Sequence, residues 1–291
     1  MNTFLWLIRR EFWENRAIWL VPALFGIALT IAVLFGRIDV ITAISAEQQR
    51  VIGPMVLFAY GITFFVVMSI YSTWYLLECL YADRKDRSVL FWKSLPITDT
   101  ATVLAKLFTG VIVIPVVYFI ATDVSTLLMA LIVSLRAHVY FGSTLWRPDL
   151  WLQLHVLWAY VIVTTAIWYL PVTGWLMLIS AWAKRGVMLW FILPPLGLFW
   201  AEGWFFGTHV LGTQLNKRIL GYFAQAFYDH SNSLAWVTTT TGKDSITTPS
   251  SIWRVVDPAG FFSSPATWIG VLVGAALIVG AIQLRWRRTE T

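Results

Sequence analysis

Six long apolar stretches constrain this chain more than any other feature. Each is close to or above the roughly 20 residues that a helix needs to cross a bilayer. They are Ala17–Gly36, Ile52–Leu77, Ala101–Ser134, Val156–Trp182, Val187–Phe206 and Thr267–Leu284. Because lipid offers no partner to an unpaired backbone group, such runs predict helices. A β-barrel would alternate apolar and polar residues, whereas these runs are apolar on all sides. The sequence therefore predicts an all-α membrane protein with six transmembrane helices.

The composition agrees with lipid as the solvent. Charged residues make up 12% of the chain and hydrophobic residues 58%, whereas a soluble domain carries about 25% charge. The net charge of +6 is explained by anionic lipid and by the orientation rule, so we expect no nucleic acid partner. The single cysteine, Cys79, excludes an internal disulfide.

Basic residues in short loops mark the cytoplasmic side of a membrane protein. With six spans, most of them fall on one side: Arg9, Arg10, Arg16, Arg84, Lys85, Arg87, Lys93, Lys184, Arg185, Arg285, Arg287 and Arg288. We therefore expect a multi-pass protein of the inner (plasma) membrane with both termini in the cytoplasm. The predicted regions are an interfacial helix (1–16), spans one to five (17–206) with a cytoplasmic loop (78–100), an extracytoplasmic helical loop (207–266), and the last span with a basic tail (267–291).

The first region reads "NTFLWLIRREFWENR" from Asn2 to Arg16. Phe4, Leu5, Ile8 and Phe12 fall on one helical face, and most charged residues fall elsewhere. That pattern is typical of an amphipathic helix that lies in the membrane interface. A plain extension of span one is the alternative.

Several residues predict local departures within the spans. Thr98 or Asp99 can cap span three, and Pro115 can kink it. Pro194 and Pro195 predict a break in span five. Close helix contacts are predicted at two GxxxG pairs, Gly203/Gly207 and Gly270/Gly274.

The cytoplasmic loop combines features that solvation alone does not require. Residues 76–100 read "LLECLYADRKDRSVLFWKSLPITDT". A helix over Asp83–Leu95 would present an apolar, aromatic tip surrounded by charge. An aromatic anchor ringed by charges is typical of a protein docking surface. The candidate docking residues are Asp83, Arg84, Asp86, Arg87, Leu90, Trp92 and Lys93.

Two acidic residues, Asp123 and Glu202, lie inside predicted spans. An ionisable group in lipid is costly, so each is a candidate for the substrate pathway. The alternatives are that Glu202 is wet at the outer interface and that neighbouring hydroxyls solvate Asp123 in the bundle. The sequence contains no Walker A, HExxH or CxxC motif. We therefore expect no metal site and no ATP bound by this chain.

The order of these features resembles the permease subunits of ATP-binding-cassette (ABC) exporters of the type-2 class. The resemblance is carried by "LIRREFWENR", "ECLYADRKDRSVLFWKSLPIT", "LPPLG" in span five and the helical loop before span six. It implies that the loop between spans two and three is a coupling helix that sits in a cleft of a separate ATPase subunit. It further implies a permease homodimer with two ATPase subunits, which would hold the ATP and magnesium. This chain would bind no cofactor.

Other classes of function remain open at this stage. A secondary transporter would use Asp123 and Glu202 as a proton relay. An intramembrane enzyme would need a nucleophile–base pair or a metal motif, and the sequence offers neither. The many aromatic residues hint at an amphiphilic or apolar substrate, although aromatics also anchor membrane proteins at the interface.

Overall fold

The computed structural model describes residues 3–36, 46–85, 97–136, 145–208, 210–227, 238–239, 246–247 and 256–287. Within these ranges most residues are helical. The α-helices are α1 (Thr3–Glu14), α2 (Ala17–Phe35), α3 (Ala46–Lys85), α4 (Asp99–Phe108), α5 (Ile114–Arg136), α6 (Pro148–Trp168), α7 (Leu170–Trp182), α8 (Val187–Ala201), α9 (Val210–Leu220), α10 (Tyr222–Ala226), α11 (Pro258–Ser263) and α12 (Pro265–Arg287). Two π-helical turns occupy Thr109–Val113 and Glu202–Phe206. Two short strands, β1 (Thr238–Thr239) and β2 (Ile246–Thr247), pair antiparallel.

Six helical segments are long and apolar enough to cross a membrane. They are Ala17–Phe35, Val56–Lys85, Asp99–Arg136, Pro148–Trp168, Val187–Phe205 and Pro265–Arg287. This confirms the all-helical, six-span prediction. Apolar side chains cover the outside of these segments, and on α2 Leu20, Leu24, Ile27 and Ile31 form an exposed stripe. An apolar exterior of this kind suits lipid.

The fourth predicted span, Val156–Trp182, is wrong as a single helix. The chain forms α6 and α7, with Tyr169 between them. Pro171 explains the break, because proline has no N–H and its ring clashes with the carbonyl four residues earlier. Gly174 of α7 packs closely against Gly274 of α12, since a Cβ on Gly174 would lie 2.8 Å from the carbonyl oxygen of Gly274. The predicted close contact at Gly274 is confirmed.

The third span is one long helical segment that a π-helical turn interrupts. Thr98 caps its start, accepting a hydrogen bond from the Ala101 N–H at 3.2 Å. The π-helical turn Thr109–Val113 comes immediately before Pro115, which confirms the predicted departure from a regular helix. Ser72 Oγ of α3 donates to the carbonyl of Gly110 at 2.7 Å. A neighbouring helix therefore satisfies a carbonyl in the turn.

The predicted break of the fifth span at its two prolines is wrong. The helix α8 runs through Pro194 and Pro195, and the π-helical turn follows at Glu202. Gly186 and Gly207, each with φ near +60°, begin and end this span. A Cβ on Gly207 would meet none of the described atoms within 4 Å, so Gly207 serves the turn and makes no close helix contact.

The two ends of the helical bundle differ in composition. At one end, here called the charged end, α1 contacts α3 and α4. The last turns of α3 and α7 bond to each other there, and the last turn of α12 bonds to the start of α4. At the opposite end, Arg136 of α5 donates to the carbonyls of Val33, Leu34 and Gly36. The first and last described helices thus reach the same end, as two cytoplasmic termini require.

Candidate functional site

Five charged side chains of alternating sign form a continuous chain at the charged end. Lys106 Nζ lies 2.8 Å from Glu11 Oε1 and 3.2 Å from Asp83 Oδ1. Arg285 Nη1 lies 3.0 Å from Asp83 Oδ2, and its Nε lies 3.0 Å from Asp99 Oδ1. We call these five residues the charge cluster. Each carboxylate has a cationic partner, and each cation bridges two carboxylates.

Four of the five residues of the charge cluster are buried, which makes their pairing essential. Glu11 and Lys106 are 2% and 3% exposed, and Asp83 and Arg285 are each 7% exposed. A buried charge without a partner is costly, whereas hydrogen bonds between ionised groups are roughly twice as strong as neutral ones. Tyr75 adds a further donor, with its hydroxyl 2.8 Å from Glu11 Oε2.

Arg285 connects both ends of the predicted coupling loop. Asp83 lies in the last turn of α3 and Asp99 at the start of α4, and residues 86–96 lie between the two described segments. One guanidinium bonds to both carboxylates, which matches the rigid fork of arginine donors and could not be reproduced by the single nitrogen of lysine in the same geometry. The last helix, α12, therefore holds the two ends of this loop together.

A second set of contacts ties the end of α3 to α7. The Leu80 and Tyr81 N–H groups donate to the buried Ser180 Oγ at 3.0 and 3.1 Å. Arg84 donates to the Ser180 carbonyl and, at 3.0 Å, to the Ala183 carbonyl. Arg84 thereby closes the end of α7, whose last carbonyls have no partner within the helix.

These contacts revise the predicted roles of two coupling residues. Asp83 and Arg84 belong to α3 and bond to other helices, so no new helix begins at Asp83. The Asp83 side chain is buried and the Arg84 side chain is partly buried. The other predicted docking residues lie outside the described residues: Asp86, Arg87, Leu90, Trp92 and Lys93. Their docking role stays a prediction.

The N-terminal helix α1 is oriented differently from its predicted amphipathic face. Glu11, assigned to the polar side, is buried in the charge cluster, while Leu5 is 62% exposed. Trp6 and Trp13 are also exposed, and the Arg9 guanidinium lies 5.4 Å from the centre of the Trp6 ring. Exposed tryptophans beside arginine suit a helix at the membrane surface, although that position remains a prediction.

Sequence reasoning missed three members of the charge cluster in this role. Lys106 lies inside the predicted span Ala101–Ser134, and an intramembrane lysine is by itself a signal of function. The sequence pattern places Glu11 away from the apolar face of α1 and gives Arg285 only the role of an orientation charge. Their meeting could not be read from spacing, because they come from three separate helices.

A large apolar cavity lies further along the same helices. Its volume is about 750 Å³, within the range of ligand pockets. Pro115, Pro171 and Pro195 all line it, so prolines of three different helices converge on one space. We call it the proline cavity. Its walls include Ser72, Leu76, Gly110, Tyr169, Trp175, Phe191, Leu215, Arg218 and Leu277.

Asp123 faces protein, as expected, but its partner is not one of the predicted hydroxyls. Its Oδ2 lies 3.1 Å from His155 Nε2 on α6, and the two side chains are 28% and 41% exposed. His155 Nδ1 in turn lies 2.7 Å from the Trp151 carbonyl. Thr122 and Thr126 instead bond to carbonyls of their own helix.

Glu202 is buried in a turn that it helps to hold. Its Oε1 accepts from Thr208 Oγ1 at 3.1 Å and its Oε2 from the Gly212 N–H at 3.3 Å. It therefore links the π-helical turn to the start of α9. The alternative that Glu202 is exposed to water does not agree with its burial. Asp123 and Glu202 are not among the described residues that line the proline cavity.

Comparisons with protein families, with curated proteins and with solved structures find no match for this chain. The geometry of the charge cluster and of the proline cavity is therefore the basis for assigning a function.

Proposed function

We propose that this chain is the membrane-spanning permease subunit of an ATP-driven ABC exporter. In this proposal two copies form a homodimer in the inner (plasma) membrane with both termini in the cytoplasm. Two separate ATPase subunits bind ATP and magnesium, and they contact the loop between α3 and α4. This chain carries no catalytic residue; it converts the movement of that loop into a change in the substrate path.

One observation supports the proposal best: Arg285 bonds to both residues that flank the loop. A force on residues 86–96 reaches Asp83 and Asp99, and through them it reaches α12. Lys106 passes it on to α1 by way of Glu11. Because breaking a buried ion pair leaves uncompensated charge, these helices are expected to move together rather than separately.

The distance from the charge cluster to the proline cavity is short. Along α3, Asp83 is about 10 Å from Leu76, at 1.5 Å per residue. Along α12, Arg285 is about 12 Å from Leu277, and Lys106 is about 6 Å from Gly110 in the π-helical turn. Leu76, Gly110 and Leu277 all line the cavity. About one to two helical turns thus separate the proposed input from the proposed path.

The pair formed by Asp123 and His155 favours a second candidate, a secondary transporter driven by protons. Histidine changes charge near physiological pH, and a carboxylate at 3.1 Å can exchange a proton with it. Glu202, the other half of the proposed relay, has hydrogen-bond partners in its own turn instead. The relay is therefore the weaker candidate.

Recovery of the ATPase with the purified chain tests the proposal. We expect the full-length protein, purified from membranes of its native cells, to retain an ABC ATPase. The double variant Leu90→Ala/Trp92→Ala should release it, because a buried aromatic anchor is worth about 2 kcal/mol or more. The matched control is Trp204→Ala/Leu272→Ala, which removes two exposed apolar side chains away from the loop.

Quantitative mass spectrometry of the purified samples decides between the candidates. Equal ATPase recovery from wild type and from the Leu90/Trp92 double variant would show that these residues do not dock it. Wild-type protein that retains no ATPase and moves substrate under a proton gradient alone would favour the secondary transporter.

A further inference from the structure

The Arg218 side chain forms one polar element in an otherwise largely apolar cavity wall. It extends from α9, and its Nη1 donates to the Ala266 carbonyl at 3.0 Å. Its guanidinium carbon lies 4.2 Å from the centre of the Trp168 ring. These two contacts fix the position of the guanidinium.

Two nitrogens of this guanidinium are left without acceptors. Nε and Nη2 are buried and have no hydrogen-bond partner among the described residues. A guanidinium cannot lose its charge in a protein, and buried donors are normally satisfied. Burial lowers the pKa of Arg218, an effect that Tyr169 opposes, so the charged form is in a poorly solvated place.

The surroundings of Arg218 are shaped to hold it. A Cβ built on Gly270 of α12 would fall 1.3 Å from Arg218 Nη2, so only glycine leaves room for the guanidinium there. In the same cavity wall, the indole Nε1 of Trp175 is also buried without an acceptor among the described residues. Two residues of the cavity wall, Arg218 and Trp175, thus carry buried donors that lack acceptors among the described residues, and leucine, phenylalanine and proline surround them.

We propose that the proline cavity binds a single-chain anionic amphiphile, with the apolar tail in the cavity and the anionic head on Arg218. The head would accept hydrogen bonds from Nε and Nη2, the arrangement that suits a carboxylate, sulfate or phosphate. A cationic head would meet the like charge of Arg218, and a neutral head would leave that charge unpaired. That this amphiphile is the transported substrate rests on the proposed permease function; that it binds does not.

Competition among ligands with one tail and three heads tests the proposal. The protein is reconstituted in phosphatidylcholine nanodiscs and labelled with a palmitic acid that carries a photoreactive diazirine in its tail. Hexadecyl sulfate, hexadecanol and hexadecyltrimethylammonium then compete with the label. We expect labelled peptides to include Phe191 or Leu215 of the cavity wall. Hexadecyl sulfate should compete at about tenfold lower concentration than hexadecanol, the gain of one hydrogen bond to a charged group.

Variants locate the preference at Arg218. Arg218→Gln should abolish the tenfold difference between sulfate and alcohol, and Gly270→Ala should reduce it by displacing the guanidinium. Lys217→Gln removes the neighbouring exposed cation and should change nothing. Gly197→Ala, where a Cβ meets none of the described atoms within 4 Å, should also change nothing.

Three results would overturn the proposal. They are equal competition by sulfate and alcohol in the wild type, labelling confined to lipid-facing residues such as Leu193 and Leu272, and a crosslink that places a second copy of the chain in the cavity. The comparison of ligands on the wild type holds even if Arg218→Gln fails to fold. No ATPase is present in this experiment, so its failure leaves the recovery of the ATPase subunit unaffected as a test of the permease function.

Discussion

The charge cluster and the Arg218 end of the proline cavity both take cations out of water, but they satisfy them differently. In the cluster, Lys106 and Arg285 each bridge two carboxylates. In the cavity, Arg218 has one carbonyl and one aromatic face as partners, and two of its nitrogens have no acceptor among the described residues. The first arrangement pairs every charge within the cluster, whereas the second leaves two donors unsatisfied among the described residues.

This difference distinguishes a network that holds helices together from a site that can bind a ligand. A fully paired buried network resists change, because each broken pair leaves a charge in a medium of low dielectric constant. A cation whose donors lack acceptors is stabilised when an anion binds to it. The two regions therefore make opposite predictions: disturbing the cluster should cost stability, and disturbing Arg218 should cost ligand preference.

The largest expected effect is that of Lys106→Met. This variant leaves Glu11 without its closest cation and removes one of the two cations on Asp83. Removing one partner of a buried ion pair costs about 3–5 kcal/mol, so we expect poor assembly or a strongly lowered unfolding temperature. Size-exclusion chromatography of heated, detergent-solubilised protein measures both.

Lys184→Met is the matched control for Lys106→Met. Lys184 is exposed in the turn before α8, and such surface changes usually stay within about 0.5 kcal/mol. Equal melting behaviour of the two methionine variants would mean that the charge cluster does not hold the charged end together.

A smaller effect is expected for Arg285→Lys, which keeps the positive charge but loses the pair of guanidinium donors. A lysine cannot place two nitrogens at 3.0 Å from Asp83 and Asp99 as the guanidinium does. Loss of one hydrogen bond between charged groups costs about 1.5–3 kcal/mol. A double-mutant cycle with Asp99→Asn measures the coupling of the two residues.

Coupling near zero in that cycle would show that Arg285 does not tie Asp99 to α12. Strong coupling between the two residues, together with full ATPase recovery by Arg285→Lys, would show that Arg285 holds the loop ends together but is not needed for docking the ATPase.

The smallest effect is expected for Asp123→Asn. The asparagine keeps the shape, and the pair with His155 is partly exposed, so the ion pair is worth at most about 1 kcal/mol. We expect near wild-type unfolding temperature and near wild-type recovery of the ATPase. A normally folded Asp123→Asn protein that has lost transport would revive the proton-relay function, and His155→Gln should then have the same effect.

Helix existence was predictable from the sequence, because length and apolarity decide whether a segment can span lipid. The irregular turn before Pro115 and the cap at Thr98 were predictable too, since they depend on a few adjacent residues. The continuity of α8 through Pro194 and Pro195 was not, because proline removes a hydrogen bond without always ending a helix. The break at Tyr169 was not predictable from hydropathy, because the apolar run continues through it.

The candidate sites were harder to predict because their parts are far apart in sequence. Asp83 was identified, but the residues that bury it, Lys106 and Arg285, come from other helices. His155 likewise could not be assigned to Asp123 by spacing. Tertiary packing decides which charge meets which, and hydropathy carries no information about that choice.

The position of Arg285 in α12 has a consequence for biosynthesis. The ribosome makes α3 and α4 long before α12. Asp99 therefore cannot pair with Arg285 until every other span has been translated. Lys106 can already meet Asp83 and Glu11 at that stage, and the half-built bundle is not left with all its acids unpaired. Only insertion of the last span completes the cluster. A nascent chain that stops short of α12 would thus expose an unpaired acid beside the loop, a mark by which membrane quality control could recognise an unfinished protein.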